Sequence, residues 1–399
     1  MTQRRRHVFH IPGYDPVSPQ DFQTRFIRQL GFFRRTWNVE ADVSDAKAAA
    51  GFATWKVETS GPNWRAVTEF ELLAWDDLIE RDAARSQLAR LGRAVLSYVD
   101  LIVTGTMRRY ASVNLRYFGF SILPLLYLLL VFGLALGFAA ALRFWLELPP
   151  LAEVALASAG GVALFFLALR WPGWQLHQAL DDWYFSLAYI YGTRHDIDER
   201  LQQFARRIAD CARDGADDEI LIVGHSLGAT LAVDALVRAL ELDPEIGRRK
   251  AAISLVTTGA TIPKCVLHPA AHRLRGQVLK LARDPTVFWA EQQSREDSIS
   301  FYRFDPVAMH LIAKENDRLD GKPLIRRVHV RDMLRPETFA KYRFRPLRLH
   351  YQCVSANDRR TVYDYFMMIC GPLPARQWAK AAGGFLDYFP DPQTGSLRE

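Results

Sequence analysis

The stretch that decides the fold reads Glu219-Ile-Leu-Ile-Val-Gly-His-Ser-Leu-Gly-Ala-Thr230. Residues 220–223 form an unbroken apolar run rich in β-branched side chains, which predicts a fully buried parallel strand. A Gly-His-Ser-Leu-Gly turn follows at 224–228, and residues 229–240 are mostly apolar helix formers. The sequence therefore predicts a strand, a tight turn and a helix, with Ser226 at the turn.

The glycines on either side of Ser226 indicate a strained turn. Gly224 and Gly228 lack the Cβ atoms that would collide with the neighbouring strand and helix. Ser226 would then present its hydroxyl above the sheet, beside the positive end of the following helix. This context predicts that Ser226 is a nucleophile. His225 is adjacent in sequence, but neighbouring side chains diverge on such a turn, so we expect it to shape the turn.

Composition sets outer limits on the function. With 399 residues, the chain is long enough for one large domain and an accessory part, and its 49% apolar content excludes a disordered protein. The net charge is +7, yet no basic stripe with interleaved aromatic residues is present, so we expect no nucleic-acid partner. The four cysteines show no C-x-x-C spacing, so we expect neither a disulfide framework nor a metal site.

Two apolar runs predict a membrane hairpin. The first, about 119–142, contains no charged residue. The second, about 151–170, contains Glu153 near its start and ends at Arg170. A helix of about 20 apolar residues crosses the hydrocarbon core of a bilayer. The alternative, a buried hairpin of core helices, fits two such long runs and so short a connection less well. Glycines at Gly133, Gly137 and 160–161 would allow close helix packing.

Charged residues around the hairpin predict its orientation. The strand before it and the Ser226 turn after it are expected to join one sheet, so both ends lie on one side of the membrane. Arginines flank the outer ends (Arg108, Arg109, Arg116 and Arg170), whereas the connecting loop has one arginine and two nearby glutamates. The positive-inside rule then places the globular domain and both termini in the cytoplasm. We expect an integral protein of a membrane such as the bacterial inner membrane.

The amino-terminal third of the chain predicts further sheet strands. A short apolar strand is predicted at 7–11, after a basic amino-terminal segment, and it runs into a turn. The following segments are predicted as a helix at 22–37, a strand at 39–43, a short alanine-rich helix capped by Ser44 or Asp45, and a hairpin of strands 55–59 and 67–75.

Taken together, these elements resemble the α/β-hydrolase fold family, specifically its lipase- and esterase-like serine hydrolases with a Gly-His-Ser-Leu-Gly elbow. The resemblance covers about residues 5–115 and 175–375, and the elbow is its one specific motif. It implies an α/β fold with a mostly parallel sheet flanked by helices, into which the hairpin is inserted. The expected parts are 1–115 and 173–399 for the hydrolase domain and 116–172 for the hairpin.

The resemblance also implies a catalytic acid in a loop after a later strand. Asp297 follows the predicted strand 287–293, and Asp305, in Phe-Asp-Pro, is the alternative. Alternatively, Asp297 is an ordinary turn residue in Arg-Glu-Asp-Ser.

A histidine base should follow the acid along the chain. His350 comes after the last predicted strand, 324–330, and before a predicted helix at 358–370 capped by Asn357 or Asp358. His310 and His329 also follow the acid, but His329 lies within the strand pattern.

The turn after strand 7–11 is expected to complete an oxyanion hole. In the resemblance, the N–H of Leu227 acts together with an N–H of this turn, either Gly13 or Tyr14. The alternative is an ordinary β-turn in which proline and glycine serve the turn geometry.

The expected function is a membrane-anchored serine hydrolase that cleaves an ester through an acyl-enzyme, using Ser226, His350 and Asp297. Its expected partners are the lipid bilayer and an ester or acyl-lipid substrate, and this chemistry needs no metal or organic cofactor. Two alternatives stay open. One is an acyltransferase that uses the same triad, and the other is a non-catalytic membrane scaffold that keeps the fold.

The predicted orientation can be tested with introduced cysteines. In intact cells, a membrane-impermeant maleimide should label a Leu148→Cys variant, because residue 148 is predicted to lie on the non-cytoplasmic side. A Ser396→Cys variant should be labelled only after permeabilisation, and the wild-type chain reports any background from the native cysteines. The reverse pattern would contradict the orientation.

Overall fold

The structure is a computed structural model that describes residues 2–49, 51–146, 149–169, 176–307 and 322–398. The chain divides into two compact units. One comprises Met1–Arg81 with Ala188–Glu399 and holds the sheet, and the other comprises Asp82–Leu187 and is helical. The segment predicted as a hairpin, 116–172, falls within the helical unit.

Nine strands are present in the part of the chain that the structure describes. They are β1 (Thr2–Ile11), β2 (Glu40–Val43), β3 (Lys47–Ala49), β4 (Phe52–Gly61), β5 (Trp64–Leu73), β6 (Glu219–His225), β7 (Ala252–Thr258), β8 (Val287–Ser294) and β9 (Leu324–Val328).

The helices of the sheet unit are α1 (Pro19–Trp37), α2 (Asp76–Ala83), which runs into the next unit, α8 (His195–Asp214), α9 (Leu227–Leu242), α10 (Ile262–Val266), α11 (His272–Arg283), α12 (Val330–Met333), α13 (Pro336–Tyr342), α14 (Pro346–Tyr351), α15 (Tyr365–Cys370) and α16 (Ala375–Lys380). The helical unit contains α3 (Gln87–Val103), α4 (Thr106–Val113), α5 (Leu115–Leu146), α6 (Pro150–Leu169) and α7 (Leu176–Ile190).

The strands form one mixed sheet in the order β2-β4-β5-β1-β6-β7-β8-β9, and β3 pairs with β4. From β5 to β9 every neighbouring pair is parallel, whereas β2, β3 and β5 pair with β4 in antiparallel fashion. The expectation of an α/β fold with a mostly parallel sheet flanked by helices is confirmed. The antiparallel part arises where a two-residue turn joins β4 to β5, since a parallel pair needs a longer connection.

Helices bury both faces of the sheet. On one face, the Phe26 ring of α1 packs 4.9 Å from Phe70 of β5 and 5.1 Å from Phe366 of α15. On the other face, Gly224 of β6 lies directly against α9, because a Cβ there would come within 2.9 Å of Ala232 Cβ. Every residue of β6 is buried, as its apolar sequence predicted.

A buried arginine joins β1 to β6 and to the carboxyl-terminal segment. Arg6 is 1% exposed, and its Nε donates to Glu219 Oε2 at 2.8 Å. Its remaining nitrogens donate to the backbone carbonyl groups of Met368, Gly371 and Leu373. β1 begins at Thr2, five residues before the predicted start at His7, and so includes the basic segment. The prediction was wrong because Arg6 has a buried carboxylate and three carbonyl groups to satisfy its charge.

Two other local predictions were wrong. Residues 47–49 form the strand β3, because pairing with β4 supplies backbone hydrogen bonds that outweigh the helix preference of alanine. Ser44 and Asp45 therefore cap no helix. The helix predicted at 358–370 begins only at Tyr365, where the Asp364 side chain accepts the Met367 N–H at 3.0 Å. Asn357 instead donates to the Tyr363 carbonyl.

In the helical unit, α5 spans 32 residues and α6 spans 20. The two helices pack together, and a Cβ at Gly160 would lie 3.2 Å from the Phe138 ring. Within the described ranges, Leu115–Phe138 is long and apolar enough to cross a membrane, while the apolar stretch Pro150–Ala163 is shorter. Residue 170, at the end of the second predicted span, lies outside the described residues.

We predict that Arg6→Met destabilises the chain. Removing the guanidinium leaves the Glu219 carboxylate buried without its charge partner, which costs about 3–5 kcal/mol in comparable buried pairs. Urea unfolding of the full chain in detergent, followed by tryptophan fluorescence, measures the loss.

Arg5→Met is the matched control, because Arg5 is the exposed neighbour in the same strand and should change stability by less than about 0.5 kcal/mol. Equal, small losses in both variants would contradict the role given to Arg6.

Candidate active site

The parallel strands bring the predicted site residues to one edge of the sheet. In register, Ile11 of β1 lies beside Gly224 of β6, Gly224 beside Thr257 of β7, and Thr257 beside Glu291 of β8. The loops that leave these strands therefore start at the same carboxyl edge, where open α/β sheets form their sites. Those loops carry Gly13, Ser226, Gly259 and Asp297.

Ser226 occupies the turn between β6 and α9 in a strained conformation. Its φ is +56° and its ψ is −126°, a region that non-glycine residues rarely adopt. The Ser226 N–H donates to the Thr258 carbonyl at 3.3 Å, and the Ser226 carbonyl accepts the N–H groups of Ala229 and Thr261 at 3.1 and 3.2 Å. These bonds hold the backbone while the side chain stays partly exposed.

The two glycines of the turn permit close backbone contacts. A Cβ at Gly224 would lie 2.6 Å from the Ala229 Cα, and one at Gly228 would lie 2.3 Å from the carbonyl oxygens of Ile11 and Pro12. No side chain can occupy either position without moving backbone. Gly228 therefore brings α9 against the end of β1.

His350 and Asp297 form a buried pair. His350 Nδ1 lies 2.8 Å from Asp297 Oδ2, and the two side chains are 4% and 0% exposed. The Ile299 N–H donates to Asp297 Oδ1 at 2.9 Å. Burial alone would raise the pKa of Asp297, but the charge of His350 and these hydrogen bonds outweigh it and hold the pKa below its usual value. Asp297 is therefore ionised and can accept a hydrogen bond from the Nδ1–H group of His350.

The alternative residues lie elsewhere. Asp305 accepts the Val307 N–H at 2.8 Å with its Oδ1. His329 is at the end of β9, with its Nδ1 3.5 Å from Glu296. His310 lies outside the described residues. Of the predicted acids and bases that the structure describes, Asp297 and His350 are the pair brought together.

The serine and the histidine both lie beside the Thr258–Gly259 segment but are not hydrogen-bonded to each other. His350 Nε2 is buried without a hydrogen-bond partner, and Ser226 Oγ makes no hydrogen bond to a residue that the structure covers. A Cβ at Gly259, which has φ +54°, would lie 3.2 Å from His350 Cε1 and 3.4 Å from Asp297 Oδ2. Catalytic hydrogen bonds often close only when substrate is bound. Nε2 is thus able to form a further hydrogen bond.

His225 faces the same pair without taking part in it. Its ring lies 4.6 Å from the His350 ring, and its Nε2 is 3.4 Å from the His350 backbone oxygen. Burial, helped by the nearby His350 charge, holds the pKa of His225 well below its usual value. A neutral ring at this position fits the predicted shaping role.

The loop after β1 approaches Ser226. A Cβ at Gly13 would lie 2.8 Å from Ser226 Cβ and 3.4 Å from its Oγ. Tyr14 is buried with its ring 5.7 Å from Trp75, whose Nε1 donates to the Pro12 carbonyl at 3.0 Å. This places the predicted oxyanion loop beside Ser226, and Leu227 begins α9 on the other side.

Several residues that support the site were not predicted. The Thr261 N–H binds the Ser226 carbonyl, and the Trp75 side chain binds the Pro12 carbonyl in the loop after β1. Tyr351 donates to Asp15 Oδ2 at 2.7 Å and so ties the histidine segment to the β1 loop. Gly259 was not predicted as a residue of the site. Its sequence position directly after an apolar strand was the one available signal.

One cluster of possible metal ligands lies near the other end of β6. The ligand atoms of His7, Cys211 and Asp217 are all within 4.8 Å of one another, and the three residues are buried. Zinc accepts this donor set, but structural zinc sites use four ligands. His7 Nε2 is already 3.1 Å from Glu71, which also pairs with Arg207. We therefore assign no metal to this cluster.

Comparison of the chain with protein-family models, with curated proteins and with solved structures gave no match.

We predict that Gly13→Ala impairs Ser226. The new methyl group would overlap Ser226 Cβ, which cannot move without moving the turn. Because small displacements of reacting groups cost about 10²-fold in rate, the rate of labelling by a fluorophosphonate probe should fall by about that factor. The melting temperature measures the accompanying change in stability, which should be modest.

Gly31→Ala provides the control. Gly31 lies in α1, and its nearest contact is a flexible arginine end at 3.9 Å. This variant should label at the wild-type rate and be slightly more stable, since alanine favours helix. Wild-type labelling of Gly13→Ala would show that the loop does not constrain the serine.

Proposed function

We propose that this protein is a membrane-anchored serine hydrolase that cleaves an ester through a Ser226–His350–Asp297 triad, on an α/β-hydrolase-like fold. The observation that carries the proposal is the buried His350–Asp297 pair at the sheet edge that also holds Ser226 in a strained turn. A buried imidazole with one nitrogen on a carboxylate and the other unoccupied is the arrangement that a serine nucleophile requires.

In the proposed first step, Ser226 Oγ attacks the ester carbonyl and its proton passes to His350 Nε2. The ionised Asp297 keeps the other ring proton on Nδ1, so Nε2 carries the free lone pair. Asp297 also stabilises the imidazolium that forms. The C–O bond to the alcohol then breaks, and His350 returns the proton to the departing oxygen, which leaves an acyl-enzyme.

In the second step, water attacks the acyl-enzyme with His350 again as base, and Ser226 regains its proton from His350. Both tetrahedral intermediates carry a negative oxygen. The Leu227 N–H at the start of α9 and an N–H of Gly13 or Tyr14 are the proposed donors to it. The close approach of Gly13 to Ser226 supports this placement.

The exposed surface of α5 supports the membrane anchor. Leu129, Phe132 and Leu134 are each more than half exposed, in a helix with a mean hydropathy of 2.3 over its apolar stretch. Water would be an unfavourable solvent for so large an apolar surface, and lipid a favourable one. We propose two membrane spans, formed by α5 and α6, with the catalytic domain and both termini in the cytoplasm. The proposed substrate is an ester or an acyl lipid.

The test combines probe labelling with turnover of p-nitrophenyl esters of increasing acyl length. Ser226→Ala should lose labelling completely. Asp297→Asn should label and turn over about 10³-fold or more slowly, because the asparagine cannot hold the productive tautomer or stabilise the imidazolium. His350→Ala should lose activity to a similar extent, while Asp305→Asn, the matched acid control, should retain wild-type activity.

The alternatives give different outcomes. Equal absence of labelling in wild type and Ser226→Ala would favour the non-catalytic scaffold. Labelling without ester hydrolysis, together with acyl transfer to an added alcohol, would favour the acyltransferase. Full activity of Asp297→Asn would refute the assigned acid.

A further inference from the structure

A cavity lies beside the edge strand β9. Its volume is about 750 Å³, and five arginines contribute to its walls. They are Arg303, Arg326, Arg327, Arg359 and Arg360. None of Ser226, Asp297 and His350 lines it, so the cavity is distinct from the proposed catalytic site.

Within the described residues, no ion pair neutralises the arginines of this cavity. Across the described part of the chain, none of the five guanidinium groups lies within 4.0 Å of a carboxylate oxygen. The carboxylates that line the cavity are Asp305 and Asp332, and Asp332 is exposed. With His329 neutral, five arginines and two aspartates leave a net charge of +3 on the walls.

Two of the arginines form the frame of the cavity. Arg326 donates to the Ala382 carbonyl at 3.0 Å. Arg360 packs over the Trp37 ring and donates to four backbone carbonyl groups, those of Thr36, Trp37, Asp391 and Thr394. Burial lowers the pKa of both guanidinium groups, and the nearby Asp387 and Asp391 only partly oppose this. Both groups therefore carry charge in a poorly solvated place.

The other three arginines are available to a ligand. Arg303, Arg327 and Arg359 are exposed, and none makes a side-chain hydrogen bond to a residue in the described ranges. Arg303 lies over the Tyr302 ring. Guanidinium groups bind phosphate with paired hydrogen bonds, and several of them together favour a multiply charged anion.

The remaining wall is suited to an organic group. Among the apolar residues that line the cavity, Ile325, Val362 and Leu386 are at least partly exposed, whereas Val328 and Met333 are buried in the core. The volume falls within the range of about 300–1,000 Å³ that is typical of small-molecule sites. We propose that this cavity binds a phosphorylated small molecule, with its phosphate groups on Arg303, Arg327 and Arg359 and its organic part on the apolar wall.

The experiment measures binding to the purified full chain in detergent by isothermal titration. The probes are inorganic pyrophosphate, adenosine diphosphate and a short-chain phosphatidylinositol bisphosphate. At least one should bind with a dissociation constant below 1 mM, and the double variant Arg327→Gln/Arg359→Gln should weaken that binding at least tenfold. Both substituted side chains are exposed, so the variant should fold.

The control is Arg28→Gln/Arg206→Gln, which removes the same charge from exposed positions on α1 and α8. Its affinity should stay within twofold of wild type. Binding of pyrophosphate or adenosine diphosphate supports a soluble ligand, and binding of the lipid alone supports a lipid headgroup. Equal weakening in both double variants, or no binding of any probe below 1 mM, would overturn the proposal.

Discussion

The close approach between the loop after β1 and the first turn of α9 is the contact on which the site depends. Gly228 leaves no room for a side chain beside the carbonyl groups of Ile11 and Pro12, and Gly13 leaves none beside Ser226. The strained Ser226 turn and the Gly13 loop therefore fix each other, although more than 200 residues separate them in sequence. Such a turn persists only where the surrounding structure over-determines it.

Parallel pairing of β1 with β6 makes that contact possible, and the Arg6–Glu219 network secures the pair near its other end. Glu219 also accepts the Ser254 hydroxyl and the Ala375 N–H, both at 2.8 Å. One buried carboxylate thus joins three neighbouring strands and the carboxyl-terminal segment. Because the network is fully hydrogen-bonded, its charges cost less than isolated buried charges would.

How much the sequence predicts depends on whether the information is local. The strand, turn and helix around Ser226 follow from twelve consecutive residues, and the structure has them where they were expected. The choice between Asp297 and Asp305 depends on which carboxylate points toward His350. Asp297 is 53 residues from His350 in sequence, and spacing does not determine the direction of its side chain. Arg6 was misplaced for the same reason, since only a distant carboxylate makes a buried arginine favourable. The arginine-lined cavity joins segments that no motif connects.

Hydrogen bonds from β8 and from the following loop fix the segment that carries Asp297. The Gln293 side chain binds both the N–H and the carbonyl of Phe304, and Glu296 accepts the Val330 N–H at 3.0 Å. Gln293 is itself bonded to Glu291, whose pKa burial raises to about 8, so this carboxyl is mostly neutral near pH 7. Asp297 therefore sits in a loop that is fixed at both ends by side chains of β8 and of the loop itself. This fixation holds the carboxylate against His350, and the bonds to Gln293 also position Phe304, one of the residues that line the arginine-lined cavity.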